Sequence, residues 1–189
     1  PVAAAGLSLG EFTAHAAAGT YTFEEGLRLV QKRGAFMEEA CNATKGTMAA
    51  MIGGTDENVI KLAQECDVDV ANFNCPGQTV VSGTEEGVDK AIAGAKAAGC
   101  KIAKKLNVAG AYHSRLMHSA MVKLAEELKN VSFGTPSMPV YCNYEARVVE
   151  GPDDIRNVLE HQVCGSVRWT ASMQKLVDQG HRLFIELGP

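Results

Sequence analysis

Gly6-Leu7-Ser8-Leu9-Gly10 fits the pattern GxSxG. That pattern suits a nucleophilic serine on a sharp strand-to-helix turn. Glycines on both sides relieve crowding, and the hydroxyl is presented at a helix N-terminus, where main-chain N–H groups can face a developing oxyanion. The apolar Val2–Ala5 ahead of it and the helical Glu11–Ala18 behind it supply that context. A plain strand–helix turn with an incidental serine would read the same way. A serine nucleophile needs a base, and histidine, with an ordinary pKa of about 6.5, shuttles protons near neutrality. Five histidines are available. His15 is one turn past Ser8 and reads as a packed or solvent-facing helix residue. His118 is mid-helix, and His161 and His181 are near helix ends, where a cation suits the dipole. His113 alone falls in a loop, Gly110-Ala111-Tyr112-His113-Ser114, and loops on rigid scaffolds tend to carry catalytic groups. His113 and His118 are five apart rather than four, a poor spacing for zinc on one helix face. Arg33 has two readings. It is a solvated helix arginine, or a guanidinium that grips a substrate carboxylate through paired hydrogen bonds.

The elements that must position these residues follow from punctuation and period. Val2–Ala5 reads as the end of a buried strand. Thr22 with Glu25 forms a capping box that opens a long helix, with Leu27, Val30, Gly34, Met37 and Cys41 on one face. Next come strand-like Thr47–Ile52, helical Asp56–Glu65 and strand-like Val68–Phe73. A turn at Asn74-Cys75-Pro76-Gly77 leads to strand-like Gln78–Ser82, helical Glu85–Ala98 and strand-like Lys101–Leu106. The order β-α-β-β-α-β is that of a ferredoxin-like unit. Beyond it, Ser114–Lys129, Asp153–Gln162 and Ser166–Gln179 read as helices, Pro139–Cys142 as a short strand and Arg182–Leu187 as a closing buried strand. Helices alternate with apolar strands at both ends, so the parent domain is expected to be α/β. The division is residues 1–46 and 107–189 for a large subdomain and 47–106 for the ferredoxin-like insert.

The 189 residues, 46% hydrophobic, carry 18 basic and 22 acidic side chains, a net charge of −4. There is no basic excess to draw nucleic acid or an anionic membrane. No apolar run approaches the ~20 residues of a membrane span. The six cysteines form no CxxC pair, and no signal peptide precedes them, which reads as reduced thiols in a cytoplasmic protein. The chain opens on Pro1 without Met and stops at Gly188-Pro189, and both ends are expected to lie inside the structure of a longer protein.

Taken together, Ser8, Arg33 and His113 bring out a resemblance to the malonyl-CoA:acyl-carrier-protein transacylases, the acyltransferases of fatty-acid synthesis, related to the acyltransferase domains of polyketide synthases. Gly6-Leu7-Ser8-Leu9-Gly10-Glu11-Phe12 resembles the family's GHSLGEY. Gln31-Lys32-Arg33-Gly34-Ala35-Phe36-Met37 resembles its arginine helix. Asn72-Phe73-Asn74-Cys75-Pro76-Gly77-Gln78 resembles its NxNxPxQ turn, and Gly110–Ser114 its histidine loop. Gln162 with Ser166-Val167-Arg168-Trp169-Thr170 resembles QxxxPVxW, and Phe184–Pro189 the closing EvGPG strand. The resemblance implies an α/β-hydrolase-like large subdomain carrying the ferredoxin-like one. It makes Ser8 the acylated nucleophile, His113 its base and Arg33 the holder of the malonyl carboxylate. Leu9 would give an oxyanion N–H, the Gln162 main chain would orient the imidazole, and Asn74 would belong to the substrate site. The partners implied are acyl carrier protein and a coenzyme A thioester, with no metal or bound cofactor, no nucleic acid and no membrane. Leu7 stands where the family has His, and Gly165-Ser166 where it often has Asn-Pro. The family also has an upstream GQG turn with a second oxyanion donor, the loss of which costs roughly 3–4 kcal/mol. Two other readings remain. A stand-alone serine esterase would need an Asp or Glu between Ser8 and His113 in the chain, such as Asp67 or Asp69. A non-catalytic binding role for the ferredoxin-like unit has only Phe73 in support, without the aromatic and basic cluster of an RNA binder.

Overall fold

The turn that carries Ser8 sits between two short elements. Strand β1 (Ala4–Ala5) pairs in parallel with β6 (Val140–Tyr141), and helix α1 (Leu9–Ala17) follows. Residues 1–188 are described in this computed structural model. Helix α2 (Phe23–Ala43) starts on the expected capping box: Glu25 N–H donates to Thr22 Oγ1 at 3.2 Å, and Thr22 N–H donates to Glu25 Oε2 at 3.0 Å. After it come β2 (Gly46–Ile52), α3 (Asp56–Glu65), β3 (Asp69–Cys75), β4 (Gln78–Thr84), α4 (Glu85–Gly94) and β5 (Ile102–Lys105). These four strands form one antiparallel sheet in the order β3-β4-β2-β5. Val59, Leu62, Val81, Val88 and Ala91 pack between that sheet and α3 and α4. The fold is therefore mixed α/β, with one parallel and one antiparallel sheet.

The remaining helices, α5 (His118–Leu128), α6 (Pro152–Gln162) and α7 (Trp169–Asp178), complete the chain. Phe12, Leu29, Met37, Leu124, Leu128, Ile155 and Leu159 build a second, larger core from α1, α2, α5 and α6.

Several expectations shift. The buried face of α2 is Gly26, Leu29, Arg33, Met37, Ala40 and Cys41, not the stripe through Leu27 and Gly34. Leu27 is exposed. Met37 and Cys41 are buried as expected, but ahead of them counting apolar residues sets the face one position off, because a charged residue, Arg33, lies on the inner side. The helix expected over Ser114–Lys129 opens as a 3-10 turn at Arg115–Met117. Helix α7 begins at Trp169, because Val167 is held extended in a parallel bridge to Asn72 and Arg168, at φ −91° and ψ 55°, stands outside the helical region. Helix α4 stops at Gly94 rather than Ala98, ahead of a turn that closes at Gly99 with φ +83°. The expected closing strand at Arg182–Leu187 does not form. A strand needs a paired edge, and among the described residues no strand lies beside it. Its Leu183, Ile185 and Leu187 are exposed. Pro189 of the closing motif lies outside the described residues.

Candidate active site

Ser8 stands at φ 54°, ψ −104°, a backbone state that L-residues avoid unless surroundings impose it. The turn is imposed on one side by Gly6. A Cβ there would sit 2.0 Å from both the carbonyl carbon and oxygen of Gly10, and 2.7 Å from Glu11 N. Gly10 is different: a Cβ on it would meet nothing within 4 Å, so only the first glycine of the pattern relieves crowding. On the other side Asn143 clips the turn. Its Oδ1 accepts from Ser8 N–H at 2.6 Å and its Nδ2 donates to Gly6 O at 2.7 Å. At the start of α1 the Gly10 N–H donates to Leu7 O and the Glu11 N–H to Ser8 O. That leaves the Leu9 N–H, the first of the helix, without an intrahelical acceptor.

Ser8 and His113 are 105 residues apart in the chain, and Ser8 Oγ lies 2.8 Å from His113 Nε2. Main-chain Gln162 O lies 2.9 Å from His113 Nδ1. A carbonyl only accepts, so Nδ1 carries the ring proton and Nε2 presents its lone pair to the serine hydroxyl. Burial pushes the imidazole down to about 4, against the upward pull of the Gln162 carbonyl, and nearby Arg33 adds to the lowering. His113 is thus held neutral, as a base must be. His113 also has positive φ, 55°, the second strained residue of the pair. The partner of Nδ1 is a carbonyl rather than a carboxylate, which removes the Ser–Asp–His arrangement the esterase reading needs. Of the other histidines, His15 is buried with its Nε2 unpartnered, and His161 stacks on Tyr144 at 5.4 Å.

Arg33 is 6% exposed. Its Nη2 donates to Ser8 Oγ at 2.9 Å and to Gln162 Oε1 at 3.1 Å, and its guanidinium stacks 5.2 Å from the Phe12 ring centre. Its Nε has no partner. Among the described residues no carboxylate forms a salt bridge with it. Burial lowers its pKa to about 10, against the upward pull of the nearby Glu11 carboxyl, which makes no hydrogen bond to it. A buried guanidinium whose contacts are neutral oxygens is an anion site.

These groups line a cavity of about 350 Å³, with Leu7, Met37, Asn72 and Tyr112 among its walls. Asn74 is not in that wall. It donates to Gln78 Oε1 across the β3–β4 turn at 3.1 Å, and Asn72, the first asparagine of the same motif, faces the cavity. In a strand, residues two apart share a face, but β3 is bulged between Phe73 and Cys75, which breaks the alternation. A larger cavity, about 490 Å³, lies beside Asp69, Arg115 and Cys164 and touches none of Ser8, Arg33 or His113. Among the described residues no group of three His, Cys, Asp or Glu side chains gathers as a metal site would need.

Two residues of the site were not found from sequence. Asn143 and Glu11 are both fully enclosed. Glu11 Oε2 accepts from Gln162 Nε2 at 2.6 Å and from Asn143 N–H at 3.0 Å, and burial raises its pKa to about 7. The Glu that follows the GxSxG pattern was the available signal for the second. An asparagine in a loop 135 residues from Ser8 offered none.

A family model described as the acyl transferase domain matches residues 1–189. The chain belongs to the acyl transferase domain family. It is 40% identical over 193 residues to the malonyl CoA-acyl carrier protein transacylase of Escherichia coli K12, covering all of this chain and 62% of that protein. A malonyl CoA-acyl carrier protein transacylase structure from Coxiella burnetii superposes with a TM-score of 0.92 at 36% identity, over 95% of this chain and 58% of that one. A malonyl-transacylase solved in complex with its type II polyketide acyl carrier protein gives a TM-score of 0.92 at 38% identity, over 95% of this chain and 60% of that one. The chain thus spans about three-fifths of the length of the proteins it matches.

Proposed function

We propose that the protein carrying this chain moves a malonyl group from malonyl-CoA to acyl carrier protein through a malonyl ester on Ser8. The observation that carries this is the buried Arg33, without a carboxylate salt bridge among the described residues, 2.9 Å from the Ser8 hydroxyl. In the first half-reaction Ser8 Oγ attacks the thioester carbonyl while its proton passes to His113 Nε2. The resulting oxyanion is met by the Leu9 N–H. The C–S bond breaks, and the coenzyme A thiolate leaves with the proton from His113. In the second half, His113 takes the proton of the carrier's phosphopantetheine thiol, the sulfur attacks the ester carbonyl, the bond from that carbon to Ser8 Oγ breaks, and His113 returns the proton to Ser8 Oγ. Arg33 turns from the Ser8 hydroxyl to the free carboxylate of malonyl. The thioester supplies the activation, so no further cofactor is called for. In this reading β2–β5 with α3 and α4 is a ferredoxin-like subdomain over about 47–106, set into an α/β-hydrolase-like one. Its strand order β3-β4-β2-β5 supports that. The six unpaired thiols fit a cytoplasmic protein, and among the described residues no helix is long and apolar enough to cross a membrane.

The test is acyl-enzyme formation from labelled malonyl-CoA and acetyl-CoA in the full protein. Ser8→Ala should give no label from either. Arg33→Ala should lower malonyl labelling by about two orders of magnitude, since hydrogen bonds between charged groups are worth roughly 1.5–3 kcal/mol each, while acetyl labelling is spared. Lysine should rescue only partly. An unchanged malonyl-to-acetyl ratio in Arg33→Ala would remove the malonyl assignment.

A further inference from the structure

The side-chain amide of Gln162 faces three groups that read it differently. Its Nε2 donates to Glu11 Oε2 at 2.6 Å and to Ser8 O at 3.0 Å, and its Oε1 accepts from Arg33 Nη2 at 3.1 Å. Turned over, the amide would set its oxygen against two acceptors and its NH₂ against a guanidinium, all inside a buried site. A carboxylate only accepts and a guanidinium only donates, so between them they select one orientation. We infer that Glu11 is a positioning residue for Arg33, its carboxyl holding the Gln162 amide in the one orientation that steadies the guanidinium over Ser8. This rests on the function proposed above for what Arg33 then binds.

Three features point the same way. Glu11 is fully enclosed on α1, with no salt bridge among the described residues, so its placement is not that of a surface ion pair. Both N–H donors converge on Oε2 while Oε1 has no partner, so the group's contacts are spent on Gln162 and on Asn143 N–H. Asn143 in turn clips the Ser8 N–H. One carboxyl oxygen therefore ties the arginine's support to the nucleophile's. The titratable groups facing it are Arg33 from α2, Tyr21 just ahead of that helix and Cys142 beside β6. The other oxygen takes no hydrogen bond, so a carboxamide, whose carbonyl accepts the same two N–H groups, should serve nearly as well as the carboxyl.

The experiment uses the full protein and its Glu11→Ala and Glu11→Gln variants. Acylation of Ser8 is timed with malonyl-CoA and acetyl-CoA. Phosphonylation is timed with a fluorophosphonate bearing a terminal carboxylate and with its neutral homologue. Only the carboxylated member of each pair calls on Arg33. Glu11→Ala should lower the carboxylate-to-neutral ratio by about ten-fold or more, and Glu11→Gln should restore it to within about three-fold. A merely structural role would lower both rates together and leave the ratio alone, and that result overturns the inference. So does a Glu11→Gln variant as impaired in ratio as Glu11→Ala. If Glu11→Ala does not fold, Glu11→Asp takes its place: it withdraws the oxygen by one methylene, should lower the ratio, and overturns the inference if it does not. A wild type that rejects malonyl-CoA but keeps the phosphonate preference overturns the substrate assignment, and the Glu11 effect is then decided on the phosphonates. A wild type with no preference in either pair overturns both.

Discussion

At Ser8 Oγ the proton goes one way only. Arg33 can only donate to it, and His113 Nε2, with Nδ1 committed to a carbonyl, can only accept from it. The base is therefore set for deprotonation before substrate arrives, and burial keeps it neutral far below the usual range of an imidazole, to about 4. The rate of Ser8 phosphonylation by a neutral fluorophosphonate should be level from about pH 8 to 5 and fall only as the pH nears 4, whereas a solvated histidine would lose half its base form near pH 6.5. A midpoint between 6 and 7 would show the imidazole to be open to water. The same groups bear on stability. His113 and buried His15 are both depressed to about 4. The unfolded chain therefore binds protons that the folded one refuses, and stability should decline as the pH falls from about 6.5 toward 4. Glu11 runs the opposite way. Raised to about 7, its contribution is complete below its ordinary 4.5 and lost as the pH rises through 7. Ser8, His113, Arg33 and Gln162 could be named before any coordinates, because each has a motif around it. Asn143 has no such signal, and Glu11, though it follows the GxSxG pattern, is given no work of its own by the sequence. An acidic residue in a first helical turn reads as a match to the helix dipole, and nothing in its type says that it is buried.

Among the elements, the strand–turn–helix at Ser8 is the one under most steric demand, and the demand is uneven. An alanine methyl at position 6 would collide with main-chain atoms of Gly10 and Glu11, which cannot swing aside as a side chain would. Gly6→Ala should therefore cost at least about 3 kcal/mol and abolish Ser8 labelling. Gly10→Ala meets open space inside a helix and should be neutral or stabilising by up to about 1 kcal/mol. Urea denaturation of the two variants checks this, and equal effects would contradict the close approach. The GxSxG pattern treats its two glycines alike, so this difference could not be read from the letters. Other elements were plain. The capping box at Thr22 and the turn at Asn74-Cys75-Pro76-Gly77 bracket runs of clear period, and α3 begins and ends where expected. What failed depended on distant partners. The tail at 182–187 has strand composition but, among the described residues, no strand edge beside it, and the start of α7 is set by the bridge that holds Val167 extended against Asn72.

At the scale of the molecule, the cavity is made by bringing β3 against the segment that follows α6. Phe73 N–H donates to Val167 O at 2.9 Å, Val167 N–H donates to Ala71 O at 2.8 Å, and Thr170 Oγ1 donates to Phe73 O at 3.1 Å. This short parallel bridge sets Asn72 in the wall facing Ser8, and it starts five residues after the Gln162 that orients His113. An ion-pair cluster ties the start of β3 to the turn at Arg115–Met117 instead: Arg115 reaches both oxygens of Asp69 and one of Asp67, while its own N–H donates to Asp69 Oδ2 at 2.7 Å. The Arg115 side chain is 59% exposed, so its charge pairs are screened and should be worth little, whereas the main-chain bonds are not screened away. Arg115→Ala should thus cost less than about 1 kcal/mol, an effect that shrinks further in high salt. Asp69→Ala should cost more, because the Arg115 N–H also loses its acceptor. Neither change should alter the carboxylate-to-neutral preference at Ser8, because the wall is held by the bridge at Phe73 and Val167 rather than by the ions. Denaturation at low and high salt gives the first two quantities, and acylation ratios give the third. A large, salt-sensitive loss in Arg115→Ala together with a changed ratio would mean that the ion cluster, not the main-chain bridge, holds the cavity closed.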